Sequence, residues 1–193
     1  MSKTAVTVEQ YAECVIKGGC TEPAAGGYCN WGAAGRRKHP INCVDWNQAN
    51  QYAKFKGARL PSEAEYEYAA TSGGKNQKYP WGNEDATCER AVMSGDSTLP
   101  VCSKPAGNAK VSGGELCDMA GNVWQWVQDK YQDSYDKAPT DGSAYEGTGS
   151  IRVLRGGSFY DDVARRLRAV DRSGDFPGYR GGHIGLRLAR SSR

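Results

Sequence analysis

Apolar side chains recur at helical spacing in three short stretches of the first half of the chain. From Thr7 to Ile16, Val8, Tyr11, Ala12 and Val15 share one face, and Thr7 stands where an N-cap belongs. From Asp45 the spacing returns with Trp46, Ala49, Tyr52, Ala53 and Phe55; Asp45 is the cap and Gly57 the stop. Ser62 and Glu65 form an S-x-x-E capping box after Pro61, which predicts a third helix to about Ala70. Between the first two helices, Lys17 to Pro40 reads as loop. After Ala70 the helical period stops. Ser72 to Gly114 is broken by Gly and Pro around Pro80-Trp81-Gly82, and residues 129–150 are polar; both read as loops. Between them lies a compact apolar segment, Leu116 to Val127, around Gly121-Asn122. Arg152-Val153-Leu154-Arg155 reads as a strand ending at Gly156-Gly157, and the alternation from Ile184 to Ala189 predicts a final strand. No repeat or linker divides the chain. The pattern predicts one α+β domain over residues 1–193, with long loops.

Composition narrows the picture. Glycine is abundant at 25 residues, and 38% of residues are hydrophobic, a lean core supply in which Trp46, Trp81, Trp124 and Trp126 must carry much of the burial. A net charge of +3 is too balanced to point to nucleic acid as partner. No apolar run reaches the roughly 20 residues of a membrane span, so membrane insertion is not expected. Met1-Ser2-Lys3-Thr4 leads into no apolar stretch and does not read as a signal peptide. The chain has seven cysteines, no C-x-x-C pair, and only His39 and His183 as histidines, which argues for disulfides over metal capture. Disulfides imply an oxidising compartment, extracellular or at the cell surface. The first four cysteines allow three pairings, with Cys14–Cys20 and Cys29–Cys43 preferred. Cys88–Cys102 is expected to close a loop of about 15 residues, which stabilises by roughly 3 kcal/mol in the chain-entropy model. Cys117 is left as a buried thiol.

Several segments, taken in order, resemble one family. They are Asn42-Cys43-Val44-Asp45-Trp46, Arg59-Leu60-Pro61-Ser62-Glu63-Ala64-Glu65-Tyr66-Glu67, Tyr79-Pro80-Trp81-Gly82, Asp118-Met119-Ala120-Gly121-Asn122-Val123-Trp124-Gln125-Trp126, Arg155-Gly156-Gly157-Ser158-Phe159 and Ile184-Gly185-Leu186-Arg187. Their order and spacing are similar to those of the formylglycine-generating-enzyme, or sulfatase-modifying-factor, domain. The resemblance implies a C-type-lectin-like fold of two packed helices, a small antiparallel sheet and long ordered loops. It also implies chemistry that can be checked. Members that oxidise sulfatase cysteines hold copper with a cysteine pair just after the Arg-Gly-Gly-Ser motif, where thiolates serve as soft ligands and redox groups. In this chain Asp161 stands at the first of those positions and no cysteine follows Cys117. A carboxylate does not replace a thiolate in copper(I) chemistry, so no catalytic residue is expected. A calcium site, matched to Asp118, Gly121, Val123 and Gln125, is weakened because Gln125 replaces the family's Glu. No other cofactor is expected.

The last fifth of the chain has a compositional break. Lys, Glu, Gln, Met and Trp occur throughout the chain up to Glu146 and then not at all. If the two adenines of an AAC codon are replaced freely, every amino acid is reachable except those five. This resembles the variable proteins of diversity-generating retroelements, in which adenine-directed mutagenesis rewrites the C-terminal part of a C-type-lectin-like domain. The implied variable region is residues 151–190. Its ligand-contact candidates are Phe159, Tyr160, Asp161, Asp162, Asp171, Ser173, Gly174, Asp175, Phe176, Tyr179, Gly181, Gly182 and His183, interleaved with framework positions Leu167, Arg168, Ala169, Arg172, Pro177, Arg180, Ile184 and Gly185. The expected function is non-catalytic binding of a protein or other macromolecule. The alternatives are an oxidoreductase of the formylglycine-generating type and a calcium-dependent lectin-like domain.

Overall fold

The computed structural model describes residues 1–190. Three helices precede the main sheet: α1 (Val8–Ile16), α2 (Trp46–Phe55) and α3 (Glu63–Ala70). Each begins with a complete capping box, in which Thr7 pairs with Gln10, Asp45 with Gln48 and Ser62 with Glu65. The resemblance implied two helices; α3 is the third, and it packs on the sheet through Tyr66, Ala69 and Ala70.

Six short strands follow: β1 (Ala109–Val111), β2 (Gly114–Leu116), β3 (Trp124–Lys130), β4 (Arg152–Arg155), β5 (Arg172–Asp175) and β6 (Ile184–Leu186). β1 and β2 form a separate hairpin, and the main sheet has the order β5-β4-β3-β6. β3 runs antiparallel to β4 and parallel to β6. Sequence reading anticipated β4 and β6, but not the β1–β2 hairpin at the end of the Ser72–Gly114 region, the strand β3 within and beyond the apolar segment, or β5. Arg-Ser-Gly-Asp has no strand propensity, and it is held extended by its full register with β4, from Arg155↔Arg172 to Arg152↔Asp175.

The core lies between the helices and the sheet. Tyr11 stacks on Tyr52 at 5.5 Å between α1 and α2, and Trp126, Leu154, Ile184 and Leu186 meet them from the strands. Two tryptophans pair their N–H groups with main-chain carbonyls, Trp46 with Val127 O at 2.8 Å and Trp126 with Val44 O at 3.0 Å. Two guanidinium groups are fully buried. Arg155 faces Glu63 and Glu67, and Arg187 faces Gln125 and the carbonyls of Cys117 and Asp118.

The disulfides are Cys14–Cys20, Cys29–Cys43 and Cys102–Cys117, with Cys88 free and exposed. The first two match expectation. The third corrects both the Cys88–Cys102 pairing and the buried Cys117 thiol. Cys117 follows β2, whose hairpin carries it within 5.0 Å (Cα to Cα) of Cys102. Cys88 instead lies on the surface, its thiol donating to Met93 O.

Candidate binding face and cleft

β4 delivers the chain to Gly156 and Gly157, both with positive φ. A Cβ on Gly157 would stand 2.9 Å from Arg166 O, so the close approach of the next loop requires glycine there. The chain then turns through Ser158-Phe159-Tyr160-Asp161. The Oδ2 of Asp161 accepts from Trp124 Nε1 at 2.9 Å and from Ser158 N and Oγ, both at 2.8 Å. This carboxylate, standing where the resemblance would put a cysteine, is thus engaged as a hydrogen-bond hub.

Main-chain hydrogen bonds tie the segment to the scaffold at regular intervals. Gly95 N donates to Phe159 O, Ser94 N to Asp161 O, Trp46 N to Pro177 O, Cys43 N to Gly181 O and Trp124 N to His183 O, at 2.8–3.1 Å. Ala169 N donates to Lys78 O. Two framework arginines add side-chain ties. Arg172 pairs with Glu63 at 2.6 Å and lies over the rings of Tyr131 and Tyr135, while Arg180 reaches Asp45 at 2.8 Å. Leu167, Ala169, Ile184 and Gly185 are buried.

Between these ties the candidate contact residues divide. Tyr160, Asp162, Phe176 and Tyr179 are exposed, Tyr160 the most at 72%. Asp161, Ser173, Asp175, Gly182 and His183 are half-buried. Four candidates turn to the scaffold instead of the face. Phe159 is 2% exposed, its backbone held by Asn122 O. Gly181 is buried. Gly174 faces inward, where a Cβ would meet Ile151, Arg152 O and Tyr131 at 2.8–3.0 Å. Asp171 gives its carbonyl to Arg155, and its carboxyl, pushed upward by burial, lies 3.7 Å from Arg166.

Of the half-buried group, Asp161, Ser173, Gly182 and His183 open on a cleft of about 410 Å³ whose walls include Tyr28, Trp124, Tyr160 and Arg166. Burial pushes the His183 imidazole below its usual range, against the opposing influence of Asp161 and Asp175. Tyr28 was not anticipated. It sits in a glycine-rich loop with no periodic signal, and it reaches the cleft because Asn42 Nδ2 donates to both Tyr28 O and Gly182 O. Cys29–Cys43 fixes the same loop. The lining of the cleft contains no cysteine. It offers aromatic faces and mixed polar groups, an arrangement suited to holding a ligand.

The calcium set does not fit a cation. Gln125 Nε2 donates to Asp118 O at 2.8 Å and approaches Val123 O at 3.4 Å, while Arg187 donates to Asp118 O and Cys117 O. Asp118 Oδ2 accepts from Cys102 N, and burial pushes that carboxyl upward. The carbonyls a metal would need already face N–H donors and a buried guanidinium. Among the described residues no group of three or more His, Cys, Asp or Glu could hold a metal ion.

A helix layer on a small mixed sheet, with long ordered loops that carry a cleft, defines a C-type-lectin-like domain. The family model described as the sulfatase-modifying factor enzyme 1-like domain matches residues 1–192, and the chain belongs to that family. It is 37% identical over 177 residues to the formylglycine-generating enzyme of Streptomyces coelicolor, covering 82% of this chain and 54% of that enzyme. The chain therefore spans about half the length of that curated relative. Among solved structures it is similar to PvdO from Pseudomonas aeruginosa, with TM-score 0.79, 29% identity and coverage of 99% of this chain and 79% of the other. It is also similar to Treponema denticola variable protein 1, with TM-score 0.67, 25% identity and coverage of 95% and 81%.

Proposed function

We propose that this protein is a non-catalytic binder that presents residues 151–190 as a diversified recognition face, in the manner of a diversity-generating retroelement variable protein. The observation that carries this reading is the division of that segment. Positions reachable from an AAC codon stand exposed at Tyr160, Asp162, Phe176 and Tyr179, between framework residues that are buried, as at Leu167, Ala169, Ile184 and Gly185, or tied to the scaffold, Pro177 by its carbonyl and Arg172 and Arg180 by ion pairs. The likeness to Treponema denticola variable protein 1 supports the same reading. Rigid aromatic side chains supply contact area at low entropic cost, and the small and acidic positions between them adjust polarity. The partner is a protein or another macromolecule, met outside the cell or at its surface. The three disulfides fit that oxidising setting. Among the described residues no helix is long and apolar enough to cross a membrane.

The test is a displayed library with NNC codons at Tyr160, Asp162, Phe176 and Tyr179, panned against an unrelated protein such as lysozyme. Most members should melt within about 5 °C of the parent, since surface changes cost little, and specific binders should emerge. A library that mostly unfolds would refute the assignment. In the genome, a near-copy of the codons for residues 151–190, differing only at adenines and beside a reverse transcriptase, is expected.

A second reading, oxidation of a substrate cysteine, is favoured by the identity to a formylglycine-generating enzyme. Aldehyde formation on a cysteine-containing sulfatase peptide incubated with copper would establish it in place of the first.

A further inference from the structure

A second groove, of about 570 Å³, lies away from the cleft and draws mainly on residues outside the compositional break. Its floor is the outer stripe of α3, where Ala64, Glu67, Tyr68 and Thr71 fall at i, i+3, i+4 and i+7. One wall is the turn at 74–77 and the other is the loop after β3.

Two exposed tyrosines in it are held in place. Tyr68 is 61% exposed, yet its ring lies against Gly74, where a Cβ would stand only 3.2 Å away, and its carbonyl accepts from Gly73 N and Gly74 N. Tyr135 is 52% exposed, yet its ring covers the Arg172 guanidinium at 4.4 Å and its hydroxyl donates to Glu63. Such rings lose little freedom on meeting a ligand. Around them stand planar polar groups. Glu67 gives one oxygen to Arg155; among the described residues its other oxygen and the Asn76 amide have no protein partner. The charges are balanced, since Glu63, Glu67 and Asp129 in the lining face Lys75, Lys130 and Arg172; Glu63 is paired with Arg172, and Asp129 accepts from Glu63 N and Tyr145 N.

We infer that this groove is a second, constant binding site, for a neutral oligosaccharide. The C–H face of a pyranose is complementary to the negative face of an aromatic ring. Carboxylate and amide groups flanking the rings match vicinal hydroxyls as paired acceptors and donors. The balanced charge disfavours an ionic ligand. The apolar surface is mainly ring faces, with only Ala64, Ala138, Pro139 and Val170 as aliphatic residues, which disfavours an anchored peptide. The inference is independent of the diversified face.

The intact protein is applied in EDTA to an array of neutral and acidic oligosaccharides, and hits are titrated by calorimetry with the soluble sugar. Neutral glycans should bind. Tyr68→Ala should weaken them about tenfold or more, in keeping with the loss of one ring contact. Tyr68→Trp should keep the affinity and Tyr68→Leu should not, with all three variants melting like the parent. Asn76→Ala should weaken binding, while Tyr160→Ala in the cleft should leave it unchanged. The inference is overturned if no neutral glycan binds, if acidic glycans are retained in place of neutral ones, if Tyr68→Leu binds as well as the parent, or if Tyr160→Ala abolishes the signal.

Discussion

Asp161 is reachable by the mutagenesis that the compositional break suggests, but its structure argues that change there is costly. Replacement by Ala removes the acceptor of three hydrogen bonds, from Trp124 Nε1 and from the amide and hydroxyl of Ser158, all at 2.8–2.9 Å. Trp124 is 5% exposed and Ser158 1%, so water cannot freely replace what is lost. A buried donor left without a partner costs about 1–3 kcal/mol, and hydrogen bonds to a charged group contribute about 1.5–3 kcal/mol each. These terms overlap and Asp161 is half-exposed, so we expect a net loss of roughly 2–4 kcal/mol. For a domain of this size that lowers Tm by roughly 5–15 °C. Asp161→Asn keeps an acceptor oxygen and should cost about half as much. Urea unfolding followed by tryptophan fluorescence reads this directly. The parallel replacements Tyr160→Ala and Asp162→Ala are exposed controls and should fall within about 0.5 kcal/mol of the parent. If Asp161→Ala unfolds at the same urea concentration as those controls, the hydrogen-bond hub is not a structural element, and Asp161 returns to the set of free contact positions.

Four further outcomes are expected. Cys102→Ser should lower stability by about 3 kcal/mol through the loss of the Cys102–Cys117 loop closure, whereas Cys88→Ser should be silent in the same denaturant titration. Gln125→Glu should change stability by less than about 2 kcal/mol, because the lost amide donor to Asp118 O is offset by pairing the new carboxylate with the buried Arg187 guanidinium. The melting temperature of the parent should not respond to calcium or a chelator; a calcium-dependent rise would show that the site admits the ion. Burial holds the imidazoles of both His39 and His183 below their usual range. The stability each contributes is complete above the unfolded value of about 6.5 and is lost as pH falls through the lower folded value. Thermal melts should therefore drop between about pH 6.5 and 5, and His183→Gln should flatten part of that fall; an unchanged slope in that variant would remove His183 as a contributor.

The parts of the fold that could be read from the sequence were those specified locally. The caps Thr7, Asp45 and Ser62 sit next to the turns they satisfy, and Arg152–Arg155 carries its own strand propensity before a Gly-Gly stop. What was missed depends on distant partners. β5 is a strand because β4 lies beside it. Cys102 pairs with Cys117 because the β1–β2 hairpin brings Cys117 back to it, and linear spacing gave Cys88 an equal claim. At the proposed face, codon-like composition singles out Tyr160, Asp162, Phe176 and Tyr179, which are exposed; that signal does not depend on geometry. The same signal could not tell that Phe159, Asp171, Gly174 and Gly181 turn to the scaffold, since inward and outward positions share the same permitted residues. Tyr28 left no trace, because its place in the cleft is set by Asn42 spanning two loops far apart in the chain.

The carbonyls and amides that tie the C-terminal segment down belong to the peptide backbone, which every amino acid except proline carries whole. Ser94, Gly95, Cys43, Trp46 and Trp124 each hold that segment by a group no side-chain replacement removes. Loop shape and loop chemistry are thereby uncoupled. If the exposed side chains are exchanged as proposed, the route of the chain stays where it was, so new contacts would be sampled on an inherited geometry and the conformation need not be found anew with each variant.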